Sequence, residues 1–235
     1  MWFDSYGVQL GPDGAAGVAG GISWDLDFEE LDDAGGALYT FPKLAWRREL
    51  LPGAQIVPWP RIRVTGTLTI DGRTAPIEAV GAIARIFGHG NAERWCWLHA
   101  DLGDGAVLEI VSATSRQGAL SRLPMLAMVQ LRVPGEPDWP RRPLLAARRL
   151  RTTGTAAGFQ VTGRVGRRRI RVEVSLPEEQ TVSLGYTDPD GSTVTCTNSE
   201  RASAIVEIEG RGRRWKTERR WDLVGTAHAE IGHRP

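Results

Sequence analysis

A hydrophobic period of two, repeated over most of the chain, is the feature that most constrains its fold. In residues 61–70, for example, Ile62, Val64 and Leu68 alternate with polar side chains. Successive side chains of a strand point to opposite faces of a sheet, so this pattern predicts strands with one buried face. Strands are predicted on this basis at 61–70, 75–87, 93–101, 106–112, 126–133, 158–165, 169–176, 180–186, 192–197, 202–209, 214–221 and 223–231.

The connections between these strands are short, and two of them carry the tight-turn pairs Asp71-Gly72 and Asp104-Gly105. Helical patterns are confined to short segments at 117–123 and 144–150. Roughly ten to thirteen short antiparallel strands, each with one apolar face, must close into a barrel or a sandwich. We therefore predict an all-β fold, an antiparallel meander with little helix. A closed barrel of moderate size leaves a cavity for one apolar ligand.

A proline-rich connection at residues 134–143 interrupts the strand pattern. It predicts two β lobes, an N-terminal one at residues 1–133 and a C-terminal one at residues 144–235. The alternative is that both parts contribute strands to one continuous barrel.

The composition is that of a chain able to bury a substantial core. It has 235 residues, of which 41% are hydrophobic and 24% charged, and its formal net charge is +1. These values exclude a mostly disordered chain. No segment approaches the roughly 20 apolar residues that span a bilayer, and no basic-then-apolar leader is visible, so we expect a cytoplasmic protein without a membrane span. Cys96 and Cys196 are too few for a disulfide scaffold or a zinc site of their own.

Charge is distributed unevenly along the chain. Residues 1–42 contain eight acidic and no basic residues, whereas residues 141–171 contain ten arginines and no acidic residue. A basic segment is compatible with nucleic-acid binding. Nucleic-acid-binding domains are usually basic as a whole, however, and this chain is not. We therefore expect oppositely charged surfaces that balance each other, no nucleic-acid partner, and a monomer or homodimer.

The segment 93–99 concentrates aromatic and ionisable side chains. If it is a strand, Trp95, Trp97 and His99 share one face. Two indoles and an imidazole supply flat apolar area, a π face for a developing cation and a proton-transfer group. They predict a wall for a large unsaturated ligand inside the barrel. The alternative is a tryptophan-rich core in which hydrogen bonds satisfy His99.

The segment 223–232 places His228 and Glu230 on one strand face. If that face points into an apolar cavity, burial favours the protonated form of Glu230, which can then act as an acid. If it points outward, both are ordinary surface residues, and the sequence leaves the two orientations open. Tyr186 and Asn198 are candidate polar anchors in the cavity, or else turn and strand-edge residues.

Familiar catalytic and cofactor motifs do not occur in the sequence. It has no phosphate-binding loop, no GxGxxG after a strand, no GxSxG and no HExxH. Its four histidines and two cysteines are scattered. We therefore expect neither a dedicated metal site nor a bound cofactor.

The same segments resemble a known superfamily, the lipocalin-like group that includes carotenoid 1,2-hydratase, tocopherol cyclase and the decalin-forming Diels–Alderases. The most specific element is Gly88-His89 followed by residues 93–99, which resembles the pattern GHnWG…erWxWlH. Gly90-Asn91-Ala92 stands here where the family usually has Asn-Trp-Gly. Weaker elements of the resemblance lie at residues 2–6, 20–26, 66–72, 186–191, 196–199 and 225–232.

The resemblance implies a lipocalin-like β-barrel with a hydrophobic interior. It also implies an unsaturated lipid-like substrate that is folded in a pocket before ring closure or hydration, chemistry that requires no metal or redox cofactor. The candidate catalytic residues are Glu230, His99 and Tyr186. The candidate substrate-binding residues are Trp24, His89, Asn91, Trp95, Trp97 and Asn198.

We therefore expect a cyclase that holds an unsaturated polyketide or isoprenoid in an apolar barrel cavity. Ring closure would follow either a pericyclic route or an acid-assisted one. One alternative is a non-catalytic carrier of lipids or pigments, and another is a lyase similar to carotenoid hydratase. A nucleic-acid-binding or partner-binding β protein is a weaker third alternative.

Overall fold

The computed structural model describes residues 3–31, 35–40, 53–88, 90–116 and 124–234. Strands dominate these residues, which confirms the all-β prediction. The strands are β1 (Phe3–Ser5), β2 (Val8–Leu10), β3 (Gly14–Ala19), β4 (Ile22–Glu30), β5 (Leu38–Tyr39), β6 (Gly53–Ile70), β7 (Arg73–Gly88), β8 (Arg94–Gly103), β9 (Ala106–Thr114), β10 (Leu126–Arg132), β11 (Leu150–Thr155), β12 (Gly158–Val165), β13 (Arg168–Ser175), β14 (Val182–Thr187), β15 (Thr193–Arg211) and β16 (Trp215–His233). The helical elements among these residues are α1 (Pro143–Ala146) and the 3₁₀ turns Ala147–Arg149 and Glu178–Gln180.

The chain divides into two compact units that do not follow one another in sequence. One comprises residues 1–37 and 57–85, and the other comprises residues 38–56 and 86–235. Strands β6 and β7 therefore belong to both units. The first unit is an antiparallel meander in which neighbouring strands follow the order β1-β2-β3-β4-β6-β7.

The second unit is built on a nine-stranded antiparallel sheet. Its strand order is β10-β9-β8-β16-β15-β13-β12-β11, and β14 pairs with the N-terminal half of β15. The two outermost strands of this order, β10 and β11, also approach each other. The sheet therefore curls into a nearly closed barrel. The connection at residues 134–143 leads from β10 to α1, so strands on both sides of it belong to this one sheet.

The core of the barrel consists of alternate side chains from its strands. Leu98, Leu108, Val172 and Val206 are fully buried there, and small residues such as Ala204 fill the space between them. Strands of period two produce this arrangement because every second side chain turns inward. The inside of the barrel is thus packed with apolar side chains.

Strands β15 and β16 are longer than the sequence pattern predicted. Each joins two predicted strands into one of 19 residues. The pairing register of β15 with β16 shifts between Ser199 and Ala202 and again between Ala202 and Ala204. The two strands remain paired on both sides of this irregularity. Opposite this irregularity, Gly225 adopts a φ of +63° and donates its backbone N–H to Ser203 Oγ. A bulge bends a strand without ending it, which accounts for the difference.

The predicted tight turns are confirmed. Asp71 and Gly72, between β6 and β7, have φ values of 48° and 76°, and Asp104 and Gly105, between β8 and β9, have 48° and 75°. Two consecutive positive φ values are those of a type I′ hairpin turn, which matches the right-handed twist of the flanking strands. The hairpin β8–β9 carries much of the candidate site.

Candidate functional site

Strand β8 divides its side chains between the two faces of the sheet. Leu98 and Ala100 belong to the barrel core, and Trp95, Trp97 and His99 therefore project from the opposite face, the outer face of the barrel. The prediction that the two indoles and the imidazole share a face is confirmed. The expectation that they line the inside of the barrel is wrong, because the alternate apolar side chains occupy it.

An open groove lies at one end of the barrel. Phe159, Val174 and Leu223 are among its apolar lining residues. None of the predicted catalytic or substrate-binding residues lines this groove. The predicted site residues of β8 therefore lie on the outer face of the barrel and not in its interior.

Cross-strand pairing gathers the predicted residues on the outer face. Residues directly opposite one another on neighbouring strands point to the same side of the sheet. The register pairs His99 with both Glu109 and His228, and it pairs Glu230 with both Trp97 and Asn198. Two residues distant in sequence, His99 and His228, thus become direct neighbours.

Glu109 is the centre of a buried hydrogen-bond network that the sequence analysis missed. Glu109 is only 1% exposed. Its Oε1 accepts hydrogen bonds from Trp97 Nε1 at 2.6 Å and from Gln55 Nε2 at 2.7 Å, while Oε2 lies 2.9 Å from His99 Nδ1. A buried carboxylate is tolerated only when such donors replace its lost hydration. A Nδ1–H that donates to Glu109 leaves Nε2 of His99 as the free ring nitrogen.

A sequence signal for Glu109 does exist. It is the single charged residue in the apolar run 106–111. An acidic side chain in a strand that is apolar on both faces has to find donors, so it marks a buried polar network. Gln55 gives no comparable signal, because a lone glutamine is common on any strand.

His228 lies between two carboxylates. Its Nδ1 is 2.9 Å from Glu200 Oε1, and its Nε2 is 3.7 Å from Glu230 Oε1. Among the described residues, this buried Nε2 has no hydrogen-bond partner. The edge of the Trp97 ring packs on the imidazole, with 4.4 Å between ring centroids.

The carboxylates around His228 favour its charged form. Burial alone would lower the pKa of His228, but the hydrogen bond with Glu200 and the charges of Glu200, Glu230 and Glu109 outweigh it, so the pKa is raised. In return, the hydrogen bond with His228 lowers the pKa of Glu200, against the effect of burial. The imidazole of His228 therefore holds its proton to a higher pH than an imidazole in water does.

Glu230 is largely sheltered from solvent, and two side chains donate hydrogen bonds to it. Its side chain is 15% exposed. Trp95 Nε1 donates to Oε2 at 3.3 Å, and Asn198 Nδ2 donates to Oε1 at 3.2 Å. Glu230 therefore lies among hydrogen-bond donors, and neither the apolar cavity nor the free surface position considered from the sequence describes it. These donors hold its carboxyl group in a defined position on the outer face.

The indole of Trp95 is seated on a glycine. Gly232 lies opposite Trp95 in the register, and a Cβ at Gly232 would come within 2.2 Å of the indole ring. Only glycine leaves room for the ring to lie across β16. The ring position is what directs Nε1 toward Glu230.

Two further ionisable groups respond to Glu230. Burial, together with the charge and hydrogen bond of Glu230, raises the pKa of the Cys196 thiol to about 12. Burial, followed by the charges of Cys196 and Glu230, raises the pKa of Tyr186. Tyr186 is 40% exposed on β14. Cys196 stays a neutral thiol, whereas Tyr186 keeps a phenolic O–H close to Glu230.

Asn91 lies in a different network. Its backbone N–H and side-chain amide both donate to Asp188 Oδ1, at 2.9 and 2.7 Å. Arg116 and Arg234 bind the other carboxylate oxygen, Asp188 Oδ2. The main role that the structure gives to Asn91 is to tie the loop before β8 to the turn after β14.

Two substrate-binding candidates remain, Trp24 and His89. Trp24 belongs to the first unit, where its ring lies over Gly17 of β3. His89 lies outside the described residues. The structure therefore brings together Trp95, Trp97, His99, Tyr186, Asn198 and Glu230, and adds Gln55, Glu109, Glu200 and His228.

Within the described ranges, no group of three or more His, Cys, Asp or Glu side chains is placed to hold a metal ion. No helix in the same ranges combines the length and the apolar character needed to cross a bilayer. What the outer face does offer is proton transfer: two histidines, each held at Nδ1 by a glutamate, beside a third glutamate within reach of one of them.

Comparison with known proteins gives two results. The sequence model of one protein family, described as tocopherol cyclase-like, matches residues 39–233. Two curated relatives, uncharacterized proteins MT0513 and Rv0493c from two strains of Mycobacterium tuberculosis, are each 44% identical over 234 residues. Each match covers 99% of this chain and 67% of the relative.

Proposed function

The chain belongs to the tocopherol cyclase-like family, and from that premise we propose that it is a cyclase acting on an unsaturated isoprenoid or polyketide substrate. The outer face of the barrel, around Glu230, is the proposed site. Glu230 is the catalytic acid–base group, and His228 supplies and recovers its proton. The observation that carries the proposal is the row Glu200–His228–Glu230. In it an imidazole with a raised pKa faces a largely sheltered carboxylate across 3.7 Å.

The proposed substrate surface extends from Trp95 onto strand β14. Val182, Leu184 and Tyr186 are 59%, 41% and 40% exposed. They lie opposite Asn198, Cys196 and Val194 in the register, so they share the outer face with Glu230. An exposed apolar strip beside an ionisable cluster is the composition of a site for an apolar substrate.

In the proposed reaction, a proton moves from His228 Nε2 to Glu230 and from there to a carbon of a substrate double bond. A nucleophile of the same substrate bonds to the resulting cation and closes the ring. The proton released by that nucleophile returns to Glu230 and His228, so nothing is oxidised or reduced. The indole of Trp95 offers a π face to the developing positive charge, and His99, fixed by Glu109, is placed to orient a polar group of the substrate.

The test is turnover of a panel of linear isoprenoid and polyketide-type polyenes, with products identified by mass spectrometry. A cyclase yields products with the mass of the substrate, whereas a hydratase yields products heavier by one water. We expect Glu230→Gln to lower turnover by about 10²–10⁴-fold, the usual contribution of a positioned acid–base group. The exposed Glu179→Gln is the matched control and retains wild-type turnover.

Each other outcome has a definite meaning. Unchanged turnover in Glu230→Gln overturns the proton-transfer role and favours a pericyclic cyclase that uses shape alone. If the wild-type protein binds a substrate and the substrate is recovered chemically unchanged, the proposal of a cyclase is overturned and a non-catalytic carrier is favoured.

A further inference from the structure

A second surface, at the opposite end of strand β16 from Glu230, concentrates positive charge at one end of the nine-stranded sheet. The turn between β12 and β13 and the turn between β15 and β16 lie side by side, since Arg168 pairs with Gly210 and Arg169 with Glu209. We call this surface the basic tip. Its cationic residues are Arg164, Arg167, Arg168, Arg169, Arg211, Arg213, Arg214, Lys216 and Arg219.

The basic tip is not neutralised by its own acids. Glu136, Glu209 and Glu218 pair with Arg168, Arg169 and Arg219. A fourth carboxylate, Glu207, accepts a hydrogen bond from Thr217 Oγ1 at 2.6 Å. Nine cations against four carboxylates leave five positive charges in excess, while the whole chain carries only +1. In the part of the chain that the structure describes, Arg213, Arg214 and Lys216 are exposed and form no ion pair.

Two hydrogen bonds join the two turns of the tip. Arg211 N–H donates to Arg167 O at 2.8 Å, and the Arg167 guanidinium returns a bond of 2.8 Å to Arg211 O. Between the cations lies a shallow depression. Arg211, Arg213, Arg214 and Lys216 line it together with one carboxylate, Glu218, which is paired with Arg168. The four cations outnumber this carboxylate, and cations clustered around a depression are suited to bind phosphate groups on a surface.

Two polyanions that fit such a surface are a single-stranded nucleic acid and an anionic lipid bilayer, and the state of Trp215 favours the bilayer. Binding to single-stranded nucleic acid usually needs an aromatic ring on which bases stack. The aromatic ring at this tip, Trp215, is already occupied: the Arg169 guanidinium carbon lies 4.0 Å from its centroid and that of Arg164 lies 5.3 Å away. A bilayer surface requires only clustered cations.

We propose that the basic tip docks the protein on an anionic phospholipid bilayer, with lipid headgroup phosphates in its depression. This inference goes beyond the proposed function and rests on it in one respect: an apolar isoprenoid or polyketide substrate partitions into bilayers, so docking brings the protein to its substrate.

The experiment is flotation of the full chain with vesicles of phosphatidylcholine alone and of phosphatidylcholine with about one third phosphatidylglycerol, at low and at high salt. We expect binding only to the anionic vesicles, with loss of binding at high salt as surface charges are screened. The triple variant Arg213→Glu, Arg214→Glu, Lys216→Glu is expected to weaken binding by about tenfold or more. The control Arg63→Glu, Arg73→Glu, Arg171→Glu changes the net charge equally at other exposed positions and retains binding.

Equal binding of the tip variant and the control overturns the docking surface, as does binding to a single-stranded oligonucleotide in preference to anionic vesicles. Turnover of a detergent-solubilised substrate distinguishes this inference from the proposed function. The tip variant keeps that turnover if docking alone is lost. If the wild-type protein binds vesicles but shows no turnover, the proposal of a cyclase is overturned and the proposal of a docking surface is supported.

Discussion

The two faces of strand β8 follow different physical rules although their residues alternate along one backbone. On the core face, Leu98 and Ala100 pack among alternate apolar side chains, and their contribution is burial. On the outer face, Trp97 and His99 engage Glu109, and their contribution is a set of directed hydrogen bonds. The barrel interior thus serves as a scaffold, and the polar network of the proposed site lies on its outside, carried by the alternate residues of the same strand.

Separation of the two faces predicts separable effects of mutation. A change on the core face alters the free energy of unfolding and leaves the proton-transfer groups in place. A change on the outer face alters both, because the same hydrogen bonds stabilise the fold and orient the groups.

The largest loss of stability is expected from the core face. Leu98→Ala removes a fully buried side chain, which leaves a cavity and lowers the free energy of unfolding by about 2–5 kcal/mol. Denaturant titration measures the loss. Turnover per folded molecule is expected to stay at the wild-type level, and a parallel loss of turnover contradicts the separation of the faces.

The next largest loss is expected at Glu109. Glu109→Gln replaces a carboxylate that accepts from three donors by an amide with one acceptor oxygen, at an expected cost of about 1–3 kcal/mol. Turnover falls as well, because His99 loses its anchor. The matched control is Gln55→Ala, which removes one donor and leaves Trp97 and His99 paired with Glu109. Equal effects of the two variants argue against a role for Glu109 in orienting His99.

A smaller effect is expected at the edge of the site. Trp95→Phe keeps the aromatic ring but removes the 3.3 Å hydrogen bond to Glu230, for an expected loss of about 0.5–1.5 kcal/mol. Calorimetric unfolding measures it. Turnover per folded molecule is also expected to fall, since Glu230 loses one of the two donors that position it. Unchanged turnover indicates that this hydrogen bond is structural only.

The smallest effect is a pH dependence of stability that arises at His228. Because its folded-state pKa is raised above the ordinary value of 6.5, the stabilisation is complete below about pH 6.5 and is lost as the pH rises through the raised value. The groups that face His228 are Glu200, Glu230, Glu109 and His99. Glu200, its hydrogen-bond partner, is well exposed, so solvent screening keeps the effect small.

Unfolding measured between pH 6 and 9 tests this dependence. His228→Asn is expected to flatten the curve, and His233→Asn, at the exposed end of β16, to leave it unchanged. A wild-type stability that rises over this range contradicts the charged state proposed for His228.

Much of this arrangement follows from the sequence. Period two correctly put Trp95, Trp97 and His99 on one face of β8 and His228 with Glu230 on one face of β16, and the turn residues correctly placed the β8–β9 hairpin. Period two states which side chains share a face, but it does not state which face becomes the core. Here both faces of β8 are largely sheltered, so hydrophobicity alone does not choose between them.

Other features require tertiary information. The register of β16 against β8, which makes His99 and His228 neighbours, depends on strand order in the sheet. Local sequence does not encode that order. The pairing of Asn91 with Asp188 depends on the same order, because 97 residues separate them. Glu109 alone had a readable signal, a lone charge in an apolar run.

The seat of Trp95 on Gly232 makes the width of the proposed site adjustable by a single atom. A methyl group at position 232 collides with the indole, so the ring must tilt away and vacate the space above β16. The same tilt turns Nε1 away from Glu230, so a substitution at position 232 couples the width of the proposed site to the hydrogen bonding of its carboxylate.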